Sequence, residues 1–364
     1  MTPPSATPRA RDLGLPFPGQ PGPLNAITDV PGVAVGFCTL TDPAKKMRTG
    51  VTAILPRPAT EPQPVWAGHY ALNGNGEMTG THWINDAGYF LGPILITNTH
   101  GVGAAHLGAT RWMIGHYADY FAQHHAWAMP VVAETYDGVL NDINALHVQP
   151  DHAIAALEAR STGPVAEGST GGGNGMIAYE FKGGTGTSSR RITLGEQDYT
   201  VAALVQANHG IRPWLTILGQ PVGELIPDGA FYGAEMGSII VILATDAPLS
   251  GLALRQLAKR AALGIGRGGT PGGNNSGDIF LAFSTANPGP MPQFAPAVTL
   301  KHELNIDLLD NLYLAAVQSV DEAVVNAMVA GVDVPTVKPE GLTCRALDHA
   351  RLREIFAGRS ASGA

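Results

Sequence analysis

Short apolar runs alternate with glycine-rich turns along most of this chain. Six of the runs are rich in β-branched residues and are bounded by Gly, Pro or Asn, which is typical of β-strands. The predicted strands are VPGVAVGFCTL (30–40), GVTAILP (50–56), GPILITNTH (92–100), MPVVAETYDG (129–138), YTVAALVQANHG (199–210) and GSIIVILATDAP (237–248).

Between these runs, apolar residues recur at the spacing of helices. The pattern predicts helices over residues 103–123, 150–159, 249–264 and 306–331. The helices do not separate the strands consistently, which favours mixed or antiparallel sheets over a doubly wound parallel sheet. Because no internal repeat or linker-like break interrupts the pattern, we expect residues 1–364 to form a single α/β domain.

The first 25 residues are rich in proline and small residues, and they predict a loose arm or an oligomer-wrapping tail. They contain no apolar segment of the kind that a secretory signal needs. No apolar run in the chain approaches the ~20 residues required to span a bilayer. We therefore expect a cytoplasmic protein without a membrane partner.

Composition and charge narrow the possible partners. Charged residues make up 14% of the 364 residues, against a usual share of ~25%. A chain with so little charge hides much of its surface, either between several layers of structure or in a homo-oligomer. The net charge of −8 argues against a nucleic-acid partner, as does the absence of a Lys/Arg cluster.

The twelve histidines raise the question of a metal site. His124 and His125 are adjacent, so both cannot face one site on a helix. The sequence contains no HExxH motif and no paired carboxylate–histidine spacing. We expect neither a metal nor another cofactor.

The most informative stretch is GIGRGGTPGGNNSGDIFLAFSTAN (264–287), in which a helix runs into a glycine-rich loop and then into a strand-like run. Gly264, Gly266 and Gly269 satisfy G-x-G-x-x-G, but a dinucleotide site needs a strand before the glycines and a helix after them. A P-loop is excluded because no Gly-Lys-Ser/Thr follows the glycines.

A nucleophile in a strained peptide is the remaining interpretation of this loop. Glycines allow the backbone to present the Asn275 carbonyl to the Ser276 hydroxyl. Attack on that carbonyl would shift the acyl group from nitrogen to oxygen, and water would then cleave the ester. The freed α-amine of Ser276, with an ordinary pKa of about 8, could act as a local base. By itself, an Asn–Ser pair in a glycine loop is also typical of an ordinary turn.

Six blocks of sequence favour the nucleophile over the ordinary turn. The chain resembles the DmpA-like family, the L-aminopeptidase/D-esterases and β-peptidyl aminopeptidases of peptidase family P1, over nearly its whole length. The blocks are ALNGNGEMTG (71–80), ITNTHGVGAAH (96–106), VVAETYDGVLNDIN (131–144), EGSTGGGNGMIAYEFKGGTGTSSR (167–190), ALVQANHG (203–210) and GGNNSGDIFLAFSTAN (272–287).

The resemblance implies a fold and an activity. The fold is a four-layer α/β/β/α sandwich of two stacked mixed sheets, which is similar in layering to N-terminal-nucleophile hydrolases. The precursor cuts itself between Asn275 and Ser276 into an α chain, 1–275, and a β chain, 276–364. Family members release N-terminal residues from small peptides, amides or esters, including β-peptides, without a metal.

The resemblance also assigns roles to individual residues. Ser276 is the nucleophile of both self-cleavage and turnover. Asn208 supplies the side-chain donor of the oxyanion hole, and one such donor is worth ~3 kcal/mol. Glu134 receives the free amine of the substrate. Tyr136 lies two positions further on, so in a strand it would share a face and a pocket with Glu134.

A serine and a carboxylate late in the chain complete the implied site, within SVDE (319–322). The family pattern places the two residues two positions apart, which gives Ser319 and Asp321, although the family favours Glu at the second position. Helical spacing instead favours Ser319 and Glu322, because residues three apart share a face. Both pairs, Ser319 with Asp321 and Ser319 with Glu322, remain candidates for this part of the site.

Two broader expectations follow from the resemblance. The protein is expected to be a homo-oligomer, a tetramer of αβ units. The alternative function is a self-processed acyltransferase of the ornithine acetyltransferase type, in which the same nucleophile would pass an acyl group to an amine. The preference for L-α, D-α or β-amino acids depends on pocket shape, which the sequence does not determine.

Overall fold

The computed structural model describes residues 7–57 and 61–357. In this part of the chain the strands are β1 Ala34–Asp42, β2 Met47–Leu55, β3 Val65–Ala71, β4 Tyr89–Phe90, β5 Ile94–Asn98, β6 Val131–Thr135, β7 Ile177–Ala178, β8 Phe181–Lys182, β9 Gly184–Leu194, β10 Gln197–Asn208, β11 Ser238–Thr245, β12 Gly277–Ser284, β13 Val334–Pro335 and β14 Thr343–Cys344. The helices are α1 Thr81–Ala87, α2 Val102–His116, α3 Ala118–Gln123, α4 Pro150–Glu158, α5 Val222–Leu225, α6 Gly251–Gly266, α7 Asp310–Val329 and α8 His349–Phe356.

Two large sheets contain most of these strands. One has the order β1-β2-β5-β6 and the other has the order β4-β3-β12-β11-β10-β9. Each contains one parallel pair, β5–β6 or β11–β12, and its other neighbours are antiparallel. The prediction of mixed sheets is therefore confirmed.

Helices cover the outer faces of both sheets. α2 and α4 pack on the four-stranded sheet, and α6 and α7 pack on the six-stranded sheet. The inner faces of the two sheets share one apolar cluster. The result is the predicted four-layer α/β/β/α sandwich.

The side chains of β10 show how one strand serves two layers of core. Val201, Ala203 and Val205 pack on the side of α6 and α7, whereas Ala202 and Leu204 pack between the sheets. Successive side chains of a strand point to opposite faces, so a strand buried on both faces must be apolar throughout. This explains the unbroken apolar runs of the sequence.

The six predicted strands are present, but the sequence pattern did not indicate β3 or β9. β9 has the sequence GTGTSSRRITL, which is polar for a buried strand. Its buried polar side chains are hydrogen-bonded: the Ser188 hydroxyl donates to the Ser319 carbonyl and the Ser189 hydroxyl to the Asp29 carboxylate. The predicted helix over 103–123 is broken at Tyr117, which has non-helical dihedrals, into α2 and α3.

The N-terminal segment packs on the body of the protein. Ala10, Leu13, Leu15 and Phe17 are buried in the cluster beneath α7. The prediction of a loose arm is therefore wrong for residues 7–25, and the rest of that predicted arm lies outside the described residues. The predicted ends of the domain, residues 1 and 364, also lie outside them.

By length and composition α7 could cross a membrane, but 83% of its apolar window is buried inside the protein. The sequence was expected to contain no apolar run long enough to span a bilayer, and this expectation does not hold for α7. A core helix meets the same criterion, and its burial identifies α7 as one.

Candidate active site

Three neighbouring strands bring two predicted site residues to one edge of the six-stranded sheet. Asn208 ends β10 and pairs with Ser238 at the start of β11. Ser238 in turn pairs with Gly277, the first residue of β12. Ser276 directly precedes β12, so strand register alone places Ser276 and Asn208 at the same edge.

Ser276 is fully buried, and its hydroxyl donates to Oδ1 of Asp278 at 2.6 Å. Burial raises the pKa of Asp278 to about 6, although hydrogen bonds from Ser276 and Asn73 act in the opposite direction. The Asn73 side chain fixes this carboxylate: its Nδ2 donates to Oδ2 at 3.1 Å, and its Oδ1 accepts from the Asp278 backbone N–H at 2.7 Å. The Asp278 carboxylate is therefore placed so that it can accept the Ser276 hydroxyl proton near neutral pH.

Asp278 is not among the site residues predicted from the sequence. The available signal was strand periodicity, since residues 276 and 278 lie on one face of an extended segment.

The Asn275–Ser276 peptide lies in a tight turn before β12. The Ser276 backbone N–H donates to the Gly273 carbonyl at 2.9 Å. The carbonyl oxygen of Asn275 accepts from Nδ2 of Asn75 at 2.6 Å. The nitrogen and the carbonyl oxygen of the Asn275–Ser276 peptide are therefore both held by hydrogen bonds.

The Glu235 carboxylate fixes the loop before this turn. Its Oε2 accepts from the Gly273 N–H at 3.1 Å, and its Oε1 accepts from the Gly210 N–H at 2.8 Å. A Cβ on Gly273 would lie 2.3 Å from Oε2 of Glu235. A Cβ on Gly277 would lie 2.4 Å from the Asn75 carbonyl oxygen. These close approaches explain two glycines of the GGNNSG motif.

Glu134 at the end of β6 lies beside the turn. Its Oε1 accepts from the Glu77 backbone N–H at 3.0 Å and its Oε2 accepts from the Thr99 hydroxyl. Burial raises the pKa of Glu134. Gly76 lies between this carboxylate and the turn. A Cβ added to Gly76 would lie 3.1 Å from Oε1 of Glu134 and 3.5 Å from the Cα of Gly277.

A cavity of about 480 Å³ joins these groups, and Glu134, Tyr136 and Asn275 line it. Glu134 and Tyr136 thus line the same cavity. Tyr136 lies one residue beyond the end of β6 and is 40% exposed. A second cavity of about 520 Å³ adjoins the first through Tyr136, and it contains Asn208 and aromatic side chains of Phe231 and Tyr232.

The Asn208 amide is oriented by two backbone groups. Its Oδ1 accepts from the Ile177 N–H at 2.8 Å, and its Nδ2 donates to the Tyr136 carbonyl at 3.0 Å. Because the NH₂ group has two hydrogens, these bonds leave one donor for a group in the cavity.

The residues predicted within 319–322 lie on α7, on the outer face of the six-stranded sheet. The Ser319 hydroxyl donates to the Val201 carbonyl at 3.3 Å. Asp321 lies 3.7 Å from Arg267, and burial raises its pKa to about 6. The side chains of these two residues thus contact β10 and the residue after α6, and not Ser276.

Glu322 lies in a buried ion-pair cluster. It is 2.6 Å from Arg190 and 2.9 Å from Arg11, and it accepts from the Asn25 side chain at 2.6 Å. Burial acts to raise the pKa of Glu322, but the hydrogen bond and charge of Arg11 and the charge of Arg190 outweigh it, so the pKa is lowered. These partners occupy both carboxylate oxygens.

Within residues 7–57 and 61–357, no three His, Cys, Asp or Glu side chains are grouped so that they could hold a metal ion.

Comparisons with known proteins agree with this architecture. Residues 25–340 match the model of peptidase family S58. The chain is 48% identical to the β-peptidyl aminopeptidase BapA of Sphingosinicella microcystinivorans, over 96% of this chain and 92% of that protein.

Two solved structures are similar over almost the whole chain. The L-aminopeptidase D-Ala-esterase/amidase of Ochrobactrum anthropi, a prototype serine aminopeptidase with a variant of the Ntn hydrolase fold, superposes with a TM-score of 0.92 at 56% identity, covering 96% of this chain and 98% of that one. A Burkholderia β-aminopeptidase gives a TM-score of 0.88 at 44% identity, covering 97% and 100%.

These similarities confirm the predicted fold and family resemblance, and they do not favour the alternative of an acyltransferase. The chain belongs to peptidase family S58, and it is a hydrolase of the serine aminopeptidase class.

Proposed function

We propose that the protein cuts its own chain between Asn275 and Ser276 and that the freed Ser276 is then the nucleophile of aminopeptidase turnover. The observation that carries this proposal is the hydrogen bond from the buried Ser276 hydroxyl to the Asp278 carboxylate. With a pKa of about 6, that carboxylate is ionised at neutral pH and is still basic enough to accept a hydroxyl proton.

In the proposed cleavage, Asp278 accepts the hydroxyl proton while the Ser276 oxygen bonds to the carbonyl carbon of Asn275. The C–N bond then breaks, and the departing nitrogen takes up the proton. An ester links Asn275 to the Ser276 side chain until water hydrolyses it. The products are a chain of residues 1–275 that ends in a carboxylate and a chain of residues 276–364 that begins with a free amine.

In turnover, we assign the free amine of the substrate to Glu134 and its scissile carbonyl to Ser276. Asn275 lines the same cavity as Glu134, so the uncut turn lies where the substrate would bind. The free N–H of Asn208 is suited to the oxyanion that forms on the substrate carbonyl. Tyr136 would contact the substrate between the two cavities. The acyl group then leaves Ser276 by hydrolysis.

Ser319 and a carboxylate of α7 enter the proposal as positioning residues. Asp321 is the better candidate than Glu322, because Glu322 is held by two arginines. Asp321 lies 3.7 Å from Arg267, at the start of the loop that leads to Ser276, and this contact supports Asp321 as the positioning carboxylate.

The substrates we propose are small peptides, amino-acid amides and esters, including β-peptides, with an unblocked N-terminus. The buried carboxylate of Glu134 supports the requirement for a free amine. The aromatic lining of the larger cavity supports apolar side chains. The substrates of the similar proteins, β-peptides for BapA and L-aminoacyl or D-Ala derivatives for the Ochrobactrum enzyme, point to the same class.

We also propose a cytoplasmic homo-oligomer, a tetramer of αβ units, without a nucleic-acid partner, a membrane partner or a cofactor. The low charge of the chain supports oligomerisation. Exposed apolar side chains support it too: Val298 is 81% exposed and Leu300 is 98% exposed.

A denaturing gel with N-terminal sequencing tests the cleavage. We expect two fragments, the smaller one beginning at Ser276, and a single band for Ser276→Ala. A wild-type chain that remains one band after purification would overturn the proposal. Assays with free and N-acetylated aminoacyl p-nitroanilides test the turnover, and hydrolysis of both at similar rates would overturn the proposed recognition of a free amine by Glu134.

A further inference from the structure

The segment 72–76, which follows β3, runs alongside the turn that contains the scissile peptide. Nδ2 of Asn75 donates to the carbonyl oxygen of Asn275 at 2.6 Å. Nδ2 of Asn73 donates to the Gly273 carbonyl at 3.0 Å and also to Asp278. Two asparagines of one segment therefore hold the turn on both sides of the bond.

We infer that Asn75 is a catalytic residue of self-cleavage, as the donor that stabilises the oxyanion formed on the Asn275 carbonyl. This inference rests on the proposed self-cleavage. It assigns the cleavage reaction a donor of its own, distinct from Asn208.

The position of the Asn75 amide carries the inference. When the Ser276 oxygen bonds to the carbonyl carbon, the π electrons of the carbonyl move onto its oxygen, which is the atom that Asn75 already contacts. A donor in place before the reaction needs no reorganisation when the charge appears. The Asn208 amide, in contrast, is bonded to Ile177 and Tyr136, outside this turn.

The backbone of the segment holds this donor in place. The Asn75 carbonyl lies so close to Gly277 that a Cβ there would be 2.4 Å away. The Leu72 N–H donates to the Asp278 carbonyl at 2.9 Å. One segment thus positions the carboxylate that accepts the proton, through Asn73, and the donor for the oxyanion, through Asn75.

The full chain is synthesised in a cell-free system, and the appearance of the two fragments is followed on denaturing gels. The variants are Asn75→Ala, Asn75→Asp and Ser276→Ala, with Asn274→Ala as the matched control. Asn274 is an exposed residue of the same type in the same loop. We expect Asn75→Ala to slow cleavage by roughly 100-fold or more, and Asn274→Ala to cleave at the wild-type rate.

The variant Asn75→Asp separates the effect of hydrogen-bond donation by this side chain from the effect of its size and shape. The introduced carboxylate is similar in size but has no hydrogen to donate at pH 7. Once protonated, it regains an O–H donor. We expect the ratio of the Asn75→Asp rate to the wild-type rate to rise as the pH falls from 7 to 5, while the ratio for Asn75→Ala stays flat. A purely structural role would give no such difference.

The experiment distinguishes failure of the Asn75 assignment from failure of the proposed self-cleavage. If the wild type does not cleave, self-cleavage itself is wrong. If the wild type cleaves, Ser276→Ala does not, and both Asn75 variants cleave within threefold of the wild type, then the assignment of Asn75 is overturned. Slow cleavage of Asn75→Asp without recovery at low pH also overturns it. Thermal unfolding of each variant in the Ser276→Ala background identifies any that fail to fold.

Discussion

The Ser276 hydroxyl donates to Asp278 at 2.6 Å, from the residue directly before β12 to the second residue of that strand, so one short segment brings the hydroxyl and the carboxylate together. Replacing Asp278 by Asn keeps the shape but removes the basic oxygen. We expect Asp278→Asn to slow self-cleavage by about 100-fold or more, measured as fragment formation on gels. Asp198→Asn, at an exposed carboxylate of a strand, is the control. Wild-type cleavage by Asp278→Asn would exclude Asp278 as the acceptor.

The raised pKa of Asp278 predicts a pH dependence for cleavage. The reaction needs the ionised carboxylate, and the pKa is about 6. The rate should therefore be near its maximum above pH 7 and should fall about tenfold per pH unit below 6. Fragment formation in buffers from pH 5 to 8 measures this. A rate that is constant over the range would contradict the assignment.

Glu134 gives a prediction about turnover rather than cleavage. Glu134→Gln removes the charge that we assign to the substrate amine. We expect kcat/KM for a free aminoacyl p-nitroanilide to fall by about 100-fold, because a buried charge pair is lost. Glu196→Gln, at an exposed carboxylate in the turn between β9 and β10, is the control and should have no effect. Equal kcat/KM in both variants would mean that another group binds the amine.

Gly273 tests the close approach of Glu235 to the loop. A Cβ there would meet the Glu235 carboxylate oxygen at 2.3 Å, so Gly273→Ala must displace either the turn or the carboxylate that bonds to it. We expect cleavage of Gly273→Ala to be at least tenfold slower, because small displacements of reacting groups cost much of the rate. Gly289→Ala has no heavy atom within 4 Å of the new Cβ and is the matched control. Similar rates in both variants would show that the contact between Glu235 and Gly273 is unimportant for cleavage.

Glu322 is expected to contribute to stability. Glu322→Gln leaves the buried Arg190 without its charged partner, and breaking such a pair costs about 3–5 kcal/mol. Denaturant unfolding in the Ser276→Ala background measures the free energy. Because the pKa of Glu322 is lowered in the folded state, its contribution is present above the ordinary Glu pKa of about 4.3 and is lost as the pH falls through the folded value. A loss below 1 kcal/mol would contradict this prediction.

Much of the architecture could be predicted from the sequence. β10 and β11 are buried on both faces, so their apolar runs were recognisable. β9 was not, because its buried serines, threonines and Arg190 depend on hydrogen bonds to α7 and to the N-terminal segment, which lie far away in sequence. The N-terminal segment was misjudged for the same reason, since its proline-rich composition does not reveal that Ala10 bonds to Asn326 of α7 or that Phe17 is buried in the core cluster.

The site could be predicted only in part. Ser276, Asn208 and Glu134 were named from the resemblance, and strand register explains why the first two lie at the same edge of the sheet. The side chains of Asn73, Asn75 and Glu235 contact residues 273–278, which lie 38 to 205 positions away in the sequence. Neither periodicity nor a local motif encodes such contacts. The positions of Asn73 and Asn75 follow from the pairing of β3 with β12, and that of Glu235 follows from the pairing of β11 with β12.

The placement of β12 has a consequence for the life of the cut protein. β12 begins one residue after the proposed cut, yet it lies between β3 and β11, which both belong to the other fragment. Cleavage would thus leave the new chain end inside a continuous hydrogen-bonded sheet, and the two fragments would co-migrate until a denaturant separated them. After such separation, recovery of the sheet would become a bimolecular reaction between two incomplete chains. The uncut precursor would then be the only form that folds in a single unimolecular step, and a mature molecule that unfolds would be poorly able to return.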